Sequence, residues 1–337
     1  MTIKDLARET GYSLGTVSRV LNNHPNVSEK ARKTIMEAVD RHGFMLNTSA
    51  KNLKQQQSET ICCIVKGNSN ELFAKMLEYM QALFLNTKYT LITDFIDEDD
   101  NEVLRARQIC LDKKPKGLLF FGGNQKNFQE GFDKIKLPSV LVTSDAKELS
   151  FDNLSSVTTD DCGGACCAVD YLLANGHQKI AVIGGSAASD TSQLRLRGYA
   201  LAHERRGIEP KDRGPYVEGR YSYKSGYDAM WKLLNEEEKP TAVFAMADVM
   251  AIGAMRAIND YGLRVPEDIS VVGFDGIQIG EYFCPKLTTI VQSVEILAKR
   301  SFEMIVACIE EGAPAGHEKI AFELKRKQSV KTIISPK

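Results

Sequence analysis

The sequence predicts a small all-α head followed by an α/β body made of two doubly wound parallel-sheet subdomains. Residues 1–46 show only helical periodicity, interrupted by glycine and proline. From about residue 59 onward, short β-branched or apolar runs alternate with amphipathic stretches, as expected for parallel sheets covered by helices. The chain has 337 residues, enough for two or three domains with separate cores.

The formal net charge of −1 hides an asymmetry between the head and the body. Residues 1–58 hold nine basic and five acidic side chains, a net of +4, and the remainder has a net of −5. A basic head on a mildly acidic body indicates that the head meets a polyanion. No apolar run approaches the roughly 18–20 residues needed to cross a bilayer. Because residues 1–5 also lack an apolar signal core, we expect a cytoplasmic protein without a membrane partner.

Motifs of catalysis and metal binding are not found in the sequence. The eight cysteines form no C-x-x-C pair and have no histidine at ligand spacing, so we expect reduced core thiols. The strings G-x-G-x-x-G, G-x-x-x-x-G-K-[ST] and H-E-x-x-H are absent, and the five histidines are scattered. The acidic pair Asp160-Asp161 is interpreted as a turn and helix cap. We therefore expect no cofactor, no metal and no enzymatic activity.

The head is predicted to contain three short helices. Periodicity predicts the first over residues 3–10, with Thr2 placed to cap it. Gly11 provides the turn into a second helix over residues 13–22, and Ser28 caps the third. The outer side of the second helix is thin and polar, with Ser13, Leu14, Gly15, Ser18 and Arg19. Such a helix pair fits the major groove of DNA, although periodicity alone leaves an ordinary three-helix mini-domain open.

The string G-x-S-x-x-T-V-S-R-V-L-N, from Gly11 to Asn22, closely resembles the headpiece of the lactose/galactose-repressor family of bacterial transcription regulators. The resemblance covers nearly the whole chain. It implies a helix-turn-helix DNA-binding headpiece over 1–46, a hinge helix or linker over 47–58, and a body like type I periplasmic-binding proteins. The two effector-binding subdomains would comprise 59–157 plus about 290–317, and 158–289 plus about 318–332.

On that resemblance, the second helix carries both base-reading and phosphate-binding positions. Leu14 and Gly15 occupy the positions that choose operator bases, and Ser18 lies on the same groove face. Arg19 is suited to a bidentate contact with guanine. Because Gly15 has no side chain, we expect weak direct readout there. The expected phosphate contacts are Thr2, Ser13, Thr16 and Asn22.

Residues 47–57 are polar and too short to bury a core, so a linker is expected in the free protein. In the family, the matching segment folds only on DNA, where paired hinge helices enter the minor groove. Asn47 can cap such a helix, and Ala50 and Leu53 lie one turn apart on one face. Leu53 matches the leucine that wedges a central base step open.

The body is predicted to alternate strands with helices, and its first half is expected to end near Val157. The predicted strands cover 61–65, 90–95, 117–121, 139–143, 180–184, 215–218, 242–246 and 269–274. The predicted helices cover 72–86, 102–113, 163–175, 193–207, 224–236 and 250–261. A last helix over 294–311 and a final strand near 320–324 would cross back between the halves. A ligand is expected in the cleft between them, at the carboxyl ends of the strands.

Asp275, Arg195 and Tyr221 each follow a predicted strand or open the next helix. A carboxylate, a guanidinium fork and an aromatic ring are a common sugar-binding set, although unrelated surface loops remain an alternative. On the resemblance, effector-contacting positions also include Leu72, Phe73 and Asp248. Two positions depart from the family pattern. Relatives usually carry Asn immediately before the residue that matches Asp248, where this chain has Ala247. Many relatives also carry Asp at the position where this chain has Thr143.

The resemblance implies a sequence-specific regulator, a repressor, that reads a palindromic double-stranded operator as a homodimer. A small sugar-like effector in the cleft would alter the spacing of the two hinge helices, with a coupling of about 1–3 kcal/mol. Residues 121–124, with Thr143-Ser144, also resemble catabolite-control members, whose corepressor is a phosphorylated carrier protein. That protein partner is one alternative input signal, and a cytoplasmic sugar-binding module without a DNA role is the other alternative.

Overall fold

The computed structural model describes residues 3–21, 24, 27–42, 59–67, 70–186 and 189–333. The chain divides into two compact units, Met1–Gln57 and Ser58–Lys337. The first unit is all-α within its described residues, and the second is α/β. The predicted fold class is confirmed, including the two parallel-dominated sheets of the body.

The headpiece contains α1 (Ile3–Thr10), α2 (Leu14–Leu21) and α3 (Glu29–His42). Its core consists of Leu6, Val17, Val20, Ile35 and Ala38. These side chains recur at helical spacing on one face of each helix, and their burial is what holds three such short helices together. The second helix was predicted to begin at Ser13, one residue before the observed start of α2 at Leu14.

Ser13 precedes α2 as its cap, which explains that difference. The Ser13 hydroxyl oxygen accepts a hydrogen bond from the backbone N–H of Thr16 at 3.2 Å and lies 3.0 Å from the Thr16 hydroxyl. A side-chain oxygen in this place satisfies one of the free N–H groups at the start of a helix. Thr2, the predicted cap of α1, lies outside the described residues.

The body contains two six-stranded sheets. The strands are β1 (Thr60–Lys66), β2 (Thr90–Ile96), β3 (Gly117–Phe121), β4 (Ser139–Val142), β5 (Leu154–Thr159), β6 (Ile180–Gly184), β7 (Tyr216–Glu218), β8 (Ala242–Ala245), β9 (Ser270–Asp275), β10 (Thr288–Gln292), β11 (His317–Ile320) and β12 (Phe322–Lys325). The strand orders are β11-β5-β4-β3-β1-β2 and β12-β10-β9-β8-β6-β7. The described strand pairs are parallel except β10 with β12, which is antiparallel.

Helices connect the strands and cover the sheets. They are α4 (Glu71–Phe84), α5 (Glu102–Lys113), α6 (Gln125–Gly131), α7 (Asp161–Ala174), α8 (Asp190–Glu204), α9 (Tyr223–Leu234), α10 (Asp248–Asp260), α11 (Ile279–Tyr282) and α12 (Val294–Glu310). Separate apolar clusters lie on the two sides of the first sheet. Burial on both faces explains why strands such as β3 (GLLFF) read as continuous apolar runs.

Several features of the body differ from the sequence predictions, which also did not include the short helices α6 and α11. The prediction missed β5 and β10, although it placed the end of the first half inside β5. The sequence of β5 is LSSVTT, and its hydroxyl side chains are buried, so it lacks the apolar run that identifies a strand. The strand predicted near 320–324 is two strands, which pair with β5 and β10 in different sheets on either side of Ala321.

The cysteines are less buried than expected. All eight are free thiols, but only Cys62, Cys63 and Cys166 are buried, and Cys284 is exposed in the bend between α11 and β10. Within the described ranges, the structure has no helix that is long and apolar enough to cross a bilayer.

Candidate nucleic-acid interface and effector cavity

The outer side of α2 is exposed, as a groove-binding helix requires. Val17 and Val20 point into the headpiece core, while Leu14, Gly15 and Arg19 are exposed and Ser18 is half-buried. One side of α2 therefore packs and the other remains available to a ligand. The structure places the predicted base-reading residues on one solvent-facing edge.

Gly15 is not required by the packing of the headpiece. A Cβ atom at this position would meet only the Ser13 hydroxyl oxygen, at 3.8 Å. A glycine in the interior of a helix normally costs stability relative to alanine. The absence of a side chain at Gly15 is therefore useful only if a ligand outside the headpiece approaches this exposed side of α2 closely.

Arg19 is a free cation within the described headpiece, where it makes no ion pair. By contrast, Arg41 and His42 at the end of α3 both contact the Glu9 carboxylate on α1, at 3.2 and 3.0 Å. The guanidinium of Arg19 can therefore present its donor fork to an external acceptor. The predicted residues Thr2, Asn22, Asn47, Ala50 and Leu53 lie outside the described residues.

The body encloses a cavity of about 500 Å³ at the carboxyl ends of strands from both sheets. Five of the predicted effector residues line it, namely Leu72, Phe73, Arg195, Tyr221 and Asp275. Parallel strands bring their carboxyl ends to the same edge, which explains why residues distant in sequence meet here. No cluster of three or more potential metal ligands occurs among the described residues.

Arg195 is held by a network of contacts in the cavity wall. Its Nε atom donates to Asp161 Oδ1 at 2.8 Å, and its guanidinium lies 3.7 Å from the centre of the Phe274 ring. It also donates to the carbonyl of Met246 and lies 3.8 Å from the Asp275 carboxylate. Asp161 therefore fixes the orientation of the Arg195 guanidinium in the cavity wall, a role that the sequence analysis missed. Within the pair interpreted as a turn and helix cap, Asp160 is the cap and accepts from the N–H of Gly163 at 3.0 Å.

Asp275 ends β9 and presents its carboxylate to the cavity. Its φ angle of 121° lies in a region that side-chain-bearing residues rarely adopt. Gln292, another lining residue that the sequence analysis missed, donates to Asp275 Oδ1 at 2.8 Å. Burial raises the pKa of Asp275 to about 6, while the nearby charge of Arg195 opposes that rise.

Asp248 lies behind the cavity wall, although the resemblance places it in contact with the effector. Its carboxylate is fully buried and accepts the backbone N–H groups of Gly276 and Ile277 at 2.8 and 2.9 Å. It also accepts from the Thr289 hydroxyl at 2.5 Å. Burial, and then the charge of Asp275, raise the pKa of Asp248 to about 8. Asp248 fixes the loop that follows Asp275, and does not line the cavity.

Tyr221 covers another part of the cavity wall. Its hydroxyl lies 2.9 Å from the Ser192 hydroxyl, and its ring packs where a Cβ atom on Gly185 would stand. Burial raises the pKa of the Tyr221 phenol, which keeps it neutral. Gly185 is thus required here by the close approach of an aromatic ring.

Charged and polar contacts join the two halves of the body at the opening of the cavity. Arg220, after β7, contacts Asp99 and lies 3.0 Å from Asp97, both of which follow β2. Asp190 of α8 accepts from the backbone N–H of Gln125 at 2.7 Å. The acidic residues Asp97 and Asp99 after β2 are visible in the sequence. Their basic partner Arg220 lies more than a hundred residues further along the chain, so the sequence did not reveal the contact.

Lys66 and Glu102 form a largely buried ion pair in the first half of the body. The Lys66 ammonium lies 2.6 Å from Glu102 Oε2. Glu102 also accepts from the backbone N–H of Asn124 at 2.7 Å and from the Asn127 amide at 2.9 Å. Lys66, Asn124 and Asn127 line the cavity, and Glu102 lies buried behind them.

The described arrangement is that of a DNA-binding regulator, with an exposed helix-turn-helix edge on one unit and a polar ligand cavity in the other. Family models agree on both parts. Residues 2–47 match the bacterial regulatory proteins of the lacI family, and residues 169–330 match a periplasmic binding protein-like domain.

The chain belongs to the lacI family of bacterial regulatory proteins. It is 34% identical to catabolite control protein A of Priestia megaterium, over 87% of each chain. It is 33% identical to the transcriptional regulator MalR of Clostridium butyricum, over 98% of this chain and 99% of that one. A lac repressor dimer bound to operator and the anti-inducer ONPF shares its fold, with a TM-score of 0.74, 27% identity, and coverage of 98% and 99%. The protein is thus a transcription regulator and not an enzyme.

Proposed function

We propose that this protein is a repressor that binds a palindromic operator as a homodimer and responds to a small, sugar-like effector in its cavity. The observation that carries the proposal is the exposed edge of α2, whose opposite face is fully used by the headpiece core. A helix with one packed side and one slender, basic side is suited to the major groove.

The proposal assigns base reading to Leu14, Gly15, Ser18 and Arg19. Ser13 and Thr16, with Thr2 and Asn22, would contact phosphates and set the register. Asn47, Ala50 and Leu53 would form the minor-groove hinge on DNA, with Leu53 as the intercalating side chain. The proposed division into headpiece (1–46), hinge (47–58) and two effector subdomains follows the same assignment.

The cavity is suited to a compact polyhydroxy ligand. The Asp275 carboxylate accepts hydroxyl hydrogens, the Arg195 guanidinium donates, and the rings of Phe73 and Tyr221 offer apolar surfaces to the faces of a sugar. A volume of about 500 Å³ lies within the range of small-molecule sites. These features favour a small sugar-like effector over a carrier protein, because a carrier protein would bind to the outer surface of the body.

Exposed apolar side chains support association with a second copy. Phe95 is 56% exposed on β2, which is an edge strand of the first sheet, and Tyr282 on α11 is 76% exposed. Open strand edges with apolar side chains are normally covered by a partner. Sedimentation of the full-length protein is expected to give a dimer.

A footprinting experiment tests the proposal. The full-length protein is incubated with DNA from the region upstream of its own gene, in the presence and absence of a panel of sugars. We expect one protected palindrome whose occupancy changes with at least one sugar. Uniform protection without a preferred site would refute the sequence-specific DNA-binding role. A response only to a phosphorylated carrier protein would establish the alternative input. Deletion of residues 1–57 distinguishes a pure sugar-binding module, which would lose no function.

A further inference from the structure

The described cavity lining contains three basic side chains, and each is already paired with an acid. Lys66 contacts Glu102, and Arg220 contacts Asp97 and Asp99. Arg195 lies 2.8 Å from Asp161, and both of these side chains are almost completely buried. A ligand that enters the cavity therefore meets cations whose charge is compensated.

Acidic groups outnumber basic groups on the same surface. The lining acids are Asp97, Glu98, Asp99 and Asp275. Glu102 and Asp161 add two more carboxylates directly behind the wall. An anionic ligand would bring a further negative charge beside these carboxylates. Its repulsion is strong from the buried Asp275, Glu102 and Asp161, and weak from Asp97 and Asp99, which are exposed to water.

The pair of Lys66 and Glu102 is built so that the charge on Lys66 stays compensated. Glu102 begins α5, and its side chain is completely buried. Its oxygens accept hydrogen bonds from Asn124, Asn127 and Lys66, so the carboxylate is fixed from three sides. A buried carboxylate with these contacts cannot turn away to leave the ammonium to a ligand. The Lys66 side chain keeps 14% of its surface exposed, and its ammonium has further N–H donors for a ligand hydroxyl.

We propose that Glu102 is a specificity-determining residue, which cancels the charge of Lys66 so that the cavity accepts neutral or amine-bearing sugars and rejects sugar acids and sugar phosphates. This inference rests on the proposed sugar-like effector and adds the charge class of that effector. Without Glu102, Lys66 would be an anion-binding group at the carboxyl end of β1.

Calorimetry on the full-length protein with matched ligands tests the inference. One series contains D-glucose, D-glucosamine, D-glucuronate and D-glucose 6-phosphate, and the second contains the galactose counterparts. A third series contains D-ribose and D-ribose 5-phosphate. In any series that binds, we expect the neutral sugar or the amino sugar to bind at least about 10-fold more tightly than the acid and the phosphate. Tightest binding of a uronate or a phosphate would overturn the inference and leave the sugar-like effector in place.

The variant Glu102→Gln tests the assigned residue. The amide keeps the shape of the side chain and leaves Lys66 uncompensated, so the ratio of uronate to neutral-sugar affinity should rise at least about 10-fold. The double variant Glu102→Gln/Lys66→Met is the matched control, in which that gain should disappear. A folded Glu102→Gln protein with an unchanged ratio would overturn the role of Glu102. If this variant does not fold, the ligand series on the unaltered protein still decides the charge preference. Binding of no ligand in any series would overturn both this inference and the sugar-like effector.

Discussion

Replacing Asp248 with alanine removes the carboxyl group that holds the loop after Asp275. The backbone N–H groups of Gly276 and Ile277 and the Thr289 hydroxyl lose their acceptor. A buried donor left without a partner costs roughly 1–3 kcal/mol. Two such N–H groups therefore predict a loss of about 2–4 kcal/mol in the free energy of unfolding, since some relaxation is expected.

The same change should weaken effector binding without any direct contact. Asp275 has a φ angle of 121°, and residues in such conformations persist only where surrounding structure holds them. Released from Asp248, the loop can relax by rotation about Asp275 and Gly276, which moves the Asp275 carboxylate. We expect effector affinity to fall at least about 10-fold, since a loss of 1.4 kcal/mol in binding free energy raises the dissociation constant tenfold. Operator binding in the absence of effector should be retained.

The variant Asp248→Asn is the matched control. Its amide oxygen can accept from the two backbone N–H groups, and its NH₂ group can donate to the Thr289 hydroxyl. That hydroxyl lies 3.2 Å from the carbonyl of Ile290 and can donate its hydrogen there instead, so the network can be completed. We expect near-normal effector affinity in calorimetry. Wild-type affinity in Asp248→Ala, or equal losses in both variants, would refute the role of Asp248 as a positioning residue.

Stability should also depend on pH through Asp248. Its pKa rises from an ordinary 3.8 in the unfolded chain to about 8 in the folded protein. The folded state therefore binds a proton that the unfolded state has released. The stability that this proton contributes is present at low pH and is lost as the pH rises through about 8. Asp275, with its pKa raised to about 6, acts in the same direction at lower pH. Denaturation between pH 6 and 9 should show a smaller loss of stability in Asp248→Asn than in the wild type, and parallel profiles would contradict this reasoning.

Three further predictions concern exposed residues. Arg19→Ala should reduce the preference for operator over random DNA by about 1–3 kcal/mol in mobility shifts while the melting temperature is unchanged, and full selectivity would contradict the groove assignment. Gly15→Ala should raise the unfolding free energy by roughly 0.5–1 kcal/mol because its Cβ has space, yet weaken operator binding. Stabilisation with unchanged binding would show that nothing approaches that edge. Arg220→Ala should cost less than about 1 kcal/mol of stability, since the pairs with Asp97 and Asp99 are exposed. It should also speed effector release in stopped-flow measurements, and an unchanged rate would exclude a role at the opening.

Local patterns in the sequence were sufficient for much of the fold. The bounds of α1, α5 and β3 were predicted without error, because each combines clear periodicity or a continuous apolar run with a distinct stop signal. The strand β5 was missed because hydroxyl side chains occupy four of its six positions. Their burial depends on contacts such as the one from the backbone N–H of Ala146 to the Ser156 hydroxyl, which no local pattern reveals.

The cavity was predictable in place but not in its interactions. Strand ends in parallel sheets meet at one edge, which was enough to bring Arg195, Tyr221 and Asp275 together. The partner of Arg195 is Asp161, and local sequence presents that residue only as part of a helix start. Asp248 was expected at the surface of the cavity because of the resemblance, whereas the buried N–H groups of the next loop engage it.

The assignment of DNA reading to α2 is tested by footprinting the upstream DNA with three proteins in parallel: the wild type, Arg19→Ala and Asp248→Ala. The wild type should protect one palindrome, Arg19→Ala should lose that preference, and Asp248→Ala should retain it. Loss of the footprint in Asp248→Ala with retention in Arg19→Ala would contradict the assignment of DNA reading to the exposed edge of α2.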